Sequence, residues 1–330
     1  MAGNLLYVNA RIKSLENNLL SPVQLGRLAE CDTLNDAFKI LQECGYGAGL
    51  AIEDYKSYEN LIALKEREAT DFFRENLIEK SGLDAVLLIN DYHNAKALIK
   101  AKYLRLKNAE DMLLPDGLFE TEKMKEEIFN DDYSRFPLPM AEALDAVDVA
   151  FADGNRSPRL IDLLLDKAMF KDMASRVKKS NQKVLQEYVV FLIDTNNISS
   201  FIRCKKLGLD IKFFEEGFIG DGKLKKDTFT ELYNDSIDAF RDKLKYTDYG
   251  ELAEIAADSD GGMVRFETAV DNRVNKLFKD NKYDMFSVAP IVGFYLGQLT
   301  EIKVIKLTLS ALKNNLDSGL LRQRLRELYA

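Results

Sequence analysis

The sequence is poor in the residues that most enzyme active sites and disulfide frameworks require. It contains one histidine, His93, and three cysteines, Cys31, Cys44 and Cys204, in 330 residues. A Ser–His–Asp or Cys–His triad has only His93 available, and these few residues do not supply the ligand spacing of a zinc site. The odd, sparse cysteines favour a reducing compartment without disulfides. We therefore predict no catalytic residues, no metal site and no bound cofactor.

Long apolar runs are missing as well. The longest, at 85–89, 188–193 and 288–296, fall short of the about 18–20 residues that cross a bilayer. The first residues show no signal-peptide pattern. A formal net charge of −8 disfavours general binding to nucleic-acid phosphate. We expect a chain in a cytosolic setting, with no membrane span and no nucleic-acid partner.

Six prolines and 18 glycines are few for this length and favour long helices. Apolar residues recur every three or four positions along 61–77, 160–192 and 264–278. Strand-like alternation and hairpin signals are scarce. The pattern predicts an all-α fold.

Three clusters with glycine, at 45–49, 220–223 and 258–262, invite a phosphate-loop or calcium-loop interpretation. The first two lack the Gly-Lys-Ser/Thr step of a phosphate loop, and the third lacks the EF-hand glycine and one ligand position. We interpret all three as turns.

The most informative feature is an internal repeat, because residues 91–106 align without a gap on residues 194–209. Six of the sixteen aligned pairs are identical: Asp91/Asp194, Asn94/Asn197, Ile99/Ile202, Lys102/Lys205, Leu104/Leu207 and Leu106/Leu209. Each segment runs on to an Asp-Gly pair and a further helical pattern. A fainter third copy begins at Glu301, with a turn at 318–319 and a final helix that contains 326–329. The repeat divides the chain into three helical modules, 1–132, 133–243 and 244–330.

The repeated residues suggest how each module is built. Asp91 or Asp194, with the asparagine three residues later, is expected to cap a helix start. The glycine of each Asp-Gly pair is expected to take a positive φ, so that one helix ends and the next reverses against it. Three similar modules can surround a pseudo-threefold axis and leave a central hollow.

Several segments resemble the C subunit of the prokaryotic V-type (archaeal/bacterial A/V-type) ATPases and ATP synthases, a relative of the d subunit in eukaryotic vacuolar ATPases. The resemblance covers the whole chain, although its Glu301 segment fits less sharply. It is carried by YVNAR at 7–11, LQECGYG at 41–47, DYHN at 91–94 and the stretch 197–208.

The resemblance implies a funnel-shaped, all-α protein that serves as a non-catalytic rotor component of the central stalk. Such a protein receives the D and F shaft subunits in its hollow and sits on the proteolipid ring. The implied location is the cytoplasmic face of the membrane, in a complex that links ATP hydrolysis or synthesis to the transport of hydrogen or sodium ions. On its own the chain is expected to be a monomer.

Basic residues are concentrated in the repeat. The stretches 94–107, 197–210 and 301–314 hold 11 basic and 2 acidic residues in an acidic chain. We predict a partner interface, at one end of the hollow, formed by Lys96, Lys100, Lys102, Arg203, Lys205, Lys206, Lys303 and Lys306. It would steer an acidic partner or meet cytoplasmic loops of the ring. The alternative is a set of solvated helix faces, with cations near helix C-termini that the helix dipole favours.

Two other function classes stay open. A helical-repeat adaptor would bind an extended peptide or protein partner on a concave surface. An enzyme with a carboxylate site in a helical bundle is disfavoured, because His93 has no glutamate three residues before it.

Overall fold

The computed structural model of the protein describes residues 2–47, 55–106, 109–114, 116–259, 261–316, 319, 321 and 324–329. These residues form α-helices, short 3₁₀ turns and loops, and no strand occurs among them. The predicted all-α class is confirmed. The helices are α1 (Ala2–Leu15), α2 (Pro22–Ala29), α3 (Leu34–Glu43), α4 (Tyr55–Glu75), α5 (Leu88–Leu104), α6 (Thr121–Phe129), α7 (Leu138–Ala152), α8 (Pro158–Ser180), α9 (Lys183–Lys206), α10 (Ile211–Gly217), α11 (Lys226–Thr230), α12 (Ile237–Leu244), α13 (Gly250–Ala257), α14 (Gly262–Asp280) and α15 (Ala289–Lys313).

The helix boundaries follow local chemistry. Ser21 begins α2 with a capping box that it shares with Gln24, and Thr33 accepts a hydrogen bond from the Asp36 amide at the start of α3. The helical apolar pattern runs without a break through 160–192, and the structure forms two helices there, α8 and α9. Asn181 separates them with a left-handed backbone, φ 61°. Short polar side chains tolerate that conformation, which ends a helix.

The chain divides into two compact units. The first joins residues 1–77 to residues 254–330, and the second contains residues 78–253. The three-module division at 1–132, 133–243 and 244–330, and its pseudo-threefold arrangement, stay predictions of the repeat.

The first unit has an apolar core between the N-terminal helices and α15. Phe38, Leu41 and Ile62 from α3 and α4 pack with Ile305 and Leu309 of α15, and all five are buried. The core therefore ties the first quarter of the chain to its last long helix.

The second unit has an aromatic core centred on α9. The Phe201 ring lies 4.3 Å from the Phe240 ring, 5.5 Å from Phe214 and 5.6 Å from Phe229, measured between centroids. All four side chains are buried. Aromatic pairs in this range of separations add to the stabilisation from buried area. The core anchors the short helices α10–α12 against α9.

Of the three glycine clusters, residues 45–47, 221–223, 259 and 261 are turns or bends, as predicted, whereas Gly262 is the first residue of α14. Residues 48, 49 and 260 lie outside the described residues, and so does residue 318 of the turn predicted in the third repeat copy.

The C-terminal segment corrects one prediction. Residues 325–329 are not a final helix but a stretch without regular secondary structure, held against α14 and α15. Asn275 donates to the Glu327 carbonyl over 2.7 Å, and the Glu327 amide donates to Asn272 over 2.9 Å. Tyr329 is buried so close to Gly293 that a Cβ there would lie 2.7 Å from its hydroxyl oxygen. The two asparagine side chains thus supply the hydrogen bonds that the Glu327 backbone would otherwise make within a helix.

Candidate partner interface

The first repeat copy places a buried aspartate and asparagine on one face of α5. Asn94 donates to the Leu114 carbonyl over 2.7 Å and accepts from the Leu114 amide over 2.8 Å. The Asp91 carboxylate accepts from the amides of Leu118, at 2.9 Å, and Phe119, at 3.1 Å. Both side chains are fully buried. Together they hold the loop after α5 by its backbone.

The second copy repeats this arrangement on α9. Asn197 exchanges hydrogen bonds with the Ile219 backbone at 2.8 and 3.0 Å, and Asp194 accepts from the amides of Lys223 and Leu224 at 3.0 Å each. Tyr249 also donates to Asp194. Burial raises the pKa of Asp194, although these hydrogen bonds lower it in part.

The predicted capping role of these residues is wrong. Asp91 lies inside α5, and Asp194 lies in the middle of α9. Asp194 is surrounded by amides that already bond to carbonyls of α9. Asp91 lies in the first turn of α5 but after its N-cap, Leu87, so it does not occupy the capping position. The two carboxylates turn instead to the free amides of a loop more than 20 residues later.

The glycine of each Asp-Gly pair is needed for close approach rather than for a positive φ. A Cβ on Gly117 would lie 2.0 Å from Asp91 Oδ1, and one on Gly222 would lie 2.1 Å from Asp194 Oδ1. Neither glycine has a positive φ, and in the second copy the positive value, 64°, belongs to Asp221. In each copy the aspartate carboxylate therefore lies directly against the backbone of a glycine, where any side chain would overlap it.

Two of the predicted interface lysines are bound within the second unit. Lys102 Nζ donates to the Ile128 carbonyl at the end of α6 over 3.0 Å, and it pairs with Asp131. Lys205 Nζ donates to carbonyls that follow α11, including that of Asp235 over 2.6 Å. Carbonyls near a helix C-terminus carry partial negative charge and lack intrahelical donors. Both lysines lie in the last turn of their own helices, as the alternative has it, but they are bound to carbonyls of a later segment and do not form a solvated face.

Lys96 and Lys100 form ion pairs with α8. Lys96 Nζ lies 2.6 Å from Asp166, and Lys100 Nζ lies 2.5 Å from Asp162. The two pairs are one helical turn apart on each helix, so they hold α5 alongside α8.

The third stretch lies in the first unit. Lys303 pairs with Asp271 at 2.6 Å and Lys306 pairs with Glu66 at 2.5 Å, and both lysines stay about half exposed. Glu301, on the same helix, is buried. It accepts from the Leu20 amide over 2.6 Å and from the Tyr46 hydroxyl. A buried carboxylate that holds a backbone amide thus also occurs in the faint third copy.

Arg203 and Lys206 are exposed near the C-terminus of α9. The Leu207 side chain beside them is also exposed, at 71%. Lys107, a further basic residue of the first stretch, lies outside the described residues.

A cavity of about 320 Å³ opens beside Arg203, between α8, α9 and α10. Its walls are mainly apolar and include Leu163, Phe213 and Ile219. Asp162 and Asp166, the α8 partners of Lys100 and Lys96, line it as well. The structure therefore brings three of the eight predicted residues, Lys96, Lys100 and Arg203, to one region of the second unit.

Arg159 is a lining residue of this cavity that sequence reasoning missed. It lies in the first turn of α8, next to Pro158, where its guanidinium covers the Phe213 ring and donates to the Phe213 carbonyl over 3.4 Å. Within the part of the chain that the structure describes, it makes no ion pair. Burial lowers the pKa of its guanidinium. The sequence offers one indication of this residue. It places a cation in the first turn of a helix, where the helix dipole disfavours positive charge.

Among the described residues, no group of three or more histidine, cysteine or acidic side chains is arranged to hold a metal ion. Within the same ranges, no helix has both the length and the apolarity to cross a bilayer.

Comparison with known proteins identifies relatives along nearly the whole chain. The model of the ATP synthase (C/AC39) subunit family matches residues 8–324. The C subunit of the A-type ATP synthase of Methanocaldococcus jannaschii is 26% identical over 97% of this chain and 85% of its own length. The protein of the same name from Thermococcus kodakarensis is 22% identical over 96% of this chain and 89% of its own. The C subunit of the V-type ATP synthase of Thermus thermophilus is 26% identical over 63% of this chain and 66% of its own.

Proposed function

Because the chain belongs to the ATP synthase (C/AC39) subunit family, we propose that it is the rotor component of the central stalk that couples the D/F shaft to the proteolipid ring. Members of this family are structural rather than catalytic parts of A- and V-type ATP synthases. The observation that carries the proposal is the family match over residues 8–324, which spans both clear copies of the repeat and the start of the third.

In this role the chain transmits torque between the shaft and the ring. ATP hydrolysis or synthesis on other subunits is thereby linked to transport of hydrogen or sodium ions through the membrane. The chain lies on the cytoplasmic face as a peripheral part of the complex. The lower end of the shaft docks on this chain.

The construction of the helices supports this mechanical role. Each clear repeat copy ties a loop to a long helix through four backbone hydrogen bonds to buried Asp and Asn side chains: Asp91 and Asn94 in the first copy, and Asp194 and Asn197 in the second. Such satisfied buried networks rigidify a structure. A subunit that transmits torque requires loops that keep their conformation when force is applied.

The predicted basic interface is part of the proposal. The contacts described above reduce the number of its residues that can meet a partner. Lys102 and Lys205 hold helix ends, so they are poor probes of partner binding. Lys303, Lys306, Arg203 and Lys206 are the more accessible members. They are the ones expected to meet an acidic partner surface.

The experiment that tests the function is size-exclusion chromatography with light scattering on the purified chain. The chain is run alone and with the D/F shaft of the same organism, and ATPase activity is measured in each sample. We expect a monomer that shifts to a 1:1:1 complex and hydrolyses no ATP by itself. If the shift is absent, the mixture is repeated with the proteolipid ring. A chain that binds neither shaft nor ring, yet binds extended peptides, would be an adaptor instead.

A further inference from the structure

We propose that the end of α14 and the loop 281–287, together with the face of α1 beneath that loop, form a surface that binds an anionic lipid membrane. We call it the loop surface. This contact goes beyond the proposed function and does not depend on it, because the isolated chain makes it without shaft or ring. Neither the repeat nor the family match identifies it.

The loop between α14 and α15 exposes two large aromatic side chains. Tyr283 is 74% exposed and Phe286, three residues later, is 70% exposed. Leu6, on the face of α1 beside the loop, is exposed as well. Neighbouring exposed apolar side chains mark a surface that contacts a protein or a membrane, because water solvates them poorly.

A buried asparagine of α1 holds the loop in this position. The Asn9 side chain is fully buried, and its Nδ2 donates to the carbonyls of Met285, over 2.9 Å, and Ser287, over 3.0 Å. Within the loop, the Phe286 amide donates to the Asp284 carboxylate over 3.1 Å. The backbone that carries the two aromatic side chains is therefore fixed before any contact forms, which lowers the entropy that binding costs.

The segment 272–287 is basic, although the whole chain has a net charge of −8. It holds basic residues at every third position and half as many acidic ones: Arg273, Lys276, Lys279 and Lys282, with Asp280 and Asp284. The C-terminal segment 324–329, which is hydrogen-bonded to α14, adds two arginines and one glutamate. The loop surface thus has the sign of charge that anionic headgroups attract.

Two lysines lie beside the exposed tyrosine. Lys13 Nζ is 4.6 Å from the centre of the Tyr283 ring, and Lys282 Nζ is 5.5 Å from it. Lys13 also pairs with Glu16 at 2.8 Å, whereas Lys282 makes no ion pair in the described parts of the chain. An ammonium group next to an exposed ring suits the membrane interface, where the cation meets lipid phosphate and the ring enters the apolar boundary.

A lipid surface agrees with these features better than a protein partner does. Tyr283 and Phe286 project from the loop into solvent, so a protein would need pockets shaped to receive them. The interfacial region of a bilayer takes up aromatic side chains without such shape complementarity. Two aromatic groups and a small positive charge predict binding that is reversible and sensitive to salt.

The first test uses the fluorescence of an introduced tryptophan, because the chain has none. Phe286→Trp keeps an aromatic group in the loop. Tyr246→Trp, at a side chain 92% exposed in the other compact unit, is the matched control. Each full-length variant is mixed at low salt with vesicles of equal parts phosphatidylcholine and phosphatidylglycerol. We expect the emission of Phe286→Trp to shift to shorter wavelength and to be quenched by brominated acyl chains, and that of Tyr246→Trp to stay unchanged.

The second test measures affinity by sedimentation with the same vesicles, and circular dichroism checks the folding of each variant. Tyr283→Ser combined with Phe286→Ser should weaken binding at least about tenfold, because two apolar groups no longer leave water. Lys282→Gln should weaken it about fivefold. Lys39→Gln, at a lysine of α3 that is 71% exposed, should match the wild type.

Several results would overturn the proposal. These are no binding of the wild type to the anionic vesicles, equal binding by the aromatic double variant, or equal binding of the wild type to phosphatidylcholine alone. A blue shift of Phe286→Trp that grows with protein concentration without vesicles would assign the surface to a second copy of this chain. If Phe286→Trp does not fold, Tyr283→Trp is the second reporter, and an unshifted emission from it would count against the surface. Assembly with the D/F shaft is measured without lipid, so the two proposals fail separately.

Discussion

Glu301 is a buried carboxyl group with two hydrogen-bond donors, the Leu20 amide and the Tyr46 hydroxyl. Burial raises its pKa above the ordinary value of a glutamate, and the two donors and nearby Lys65 offset this only in part. Burial also raises the pKa of Tyr46, so the tyrosine stays protonated and continues to donate. One side chain thus joins α15 to the loop before α2 and the turn after α3.

The raised pKa of Glu301 predicts a pH-dependent stability. Between the unfolded and the folded pKa, the folded protein binds more protons than the unfolded chain. The contribution is fully present below the unfolded pKa, about 4.3, and is lost as the pH rises through the folded value. We expect the wild type to gain unfolding free energy relative to Glu301→Gln as the pH falls from neutral. Urea denaturation over a pH series measures this, with exposed Glu79→Gln as the control. A difference that does not vary with pH would contradict it.

Lys102 and Lys205 are predicted to act on stability rather than on assembly. Each donates to backbone carbonyls at the end of a later helical segment, and the Lys102 side chain is only 15% exposed. Lys102→Met leaves acceptors without a donor, which costs about 1–3 kcal/mol of unfolding free energy. Urea denaturation of the isolated chain measures the loss, with exposed Lys206→Met as the comparison. Shaft binding that weakens without any loss of stability would show that Lys102 faces a partner after all.

At the scale of elements, each repeat copy is a long helix whose buried side chains hydrogen-bond the backbone of the loop that follows. The closest contact is between the aspartate and the glycine of the Asp-Gly pair, because any side chain on the glycine would overlap the aspartate carboxylate. Gly222→Ala is expected to displace Asp194 and to lower the unfolding free energy by about 1–3 kcal/mol. Gly220→Ala, two residues earlier and with open space around its Cβ, should change stability little. Thermal unfolding followed by circular dichroism compares the pair.

A second outcome of that experiment concerns the repeat itself. Gly117→Ala should reproduce the effect, because its Cβ would lie equally close to Asp91. If alanine is tolerated at both glycines, the carboxylates do not hold the loops in the way the hydrogen bonds indicate.

At the scale of the whole molecule, the predicted interface depends on residues that stay accessible. Lys303 and Lys306 are the most accessible members whose ion-pair partners are described, at 50% and 48% side-chain exposure. Their ion pairs with Asp271 and Glu66 are worth at most about 1 kcal/mol each at such exposure, so reversing both charges should leave the fold intact.

We expect Lys303→Glu combined with Lys306→Glu to weaken association with the D/F shaft or the ring at low salt. The deficit should shrink as salt screens the interaction. Lys276→Glu, 69% exposed and outside the predicted interface, is the matched control. Light scattering at several ionic strengths provides the measurement. Equal association by both variants at every salt concentration would remove these lysines from the interface.

Much of the local structure could be predicted from the sequence alone. The 3.6-residue periodicity is a local property, and it identified α4 and α14 directly. The break at Asn181 escaped prediction, because the apolar pattern continues across it and only the backbone conformation ends the helix. The C-terminal helix was wrong because side chains of α14 satisfy the backbone of 325–329, and that contact spans about 50 residues of sequence.

The sequence by itself determined the all-α class, the scarcity of catalytic groups and the pairing of Asp91 with Asp194 and Asn94 with Asn197. Those features depend on composition and on spacing within one helix. Only the tertiary structure decided what the repeated residues do, because their partners lie 20 or more residues away on loops that packing brings close. It also decided that Lys96 and Lys100 pair with carboxylates of α8, since the sign of a surface depends on which charges meet across helices.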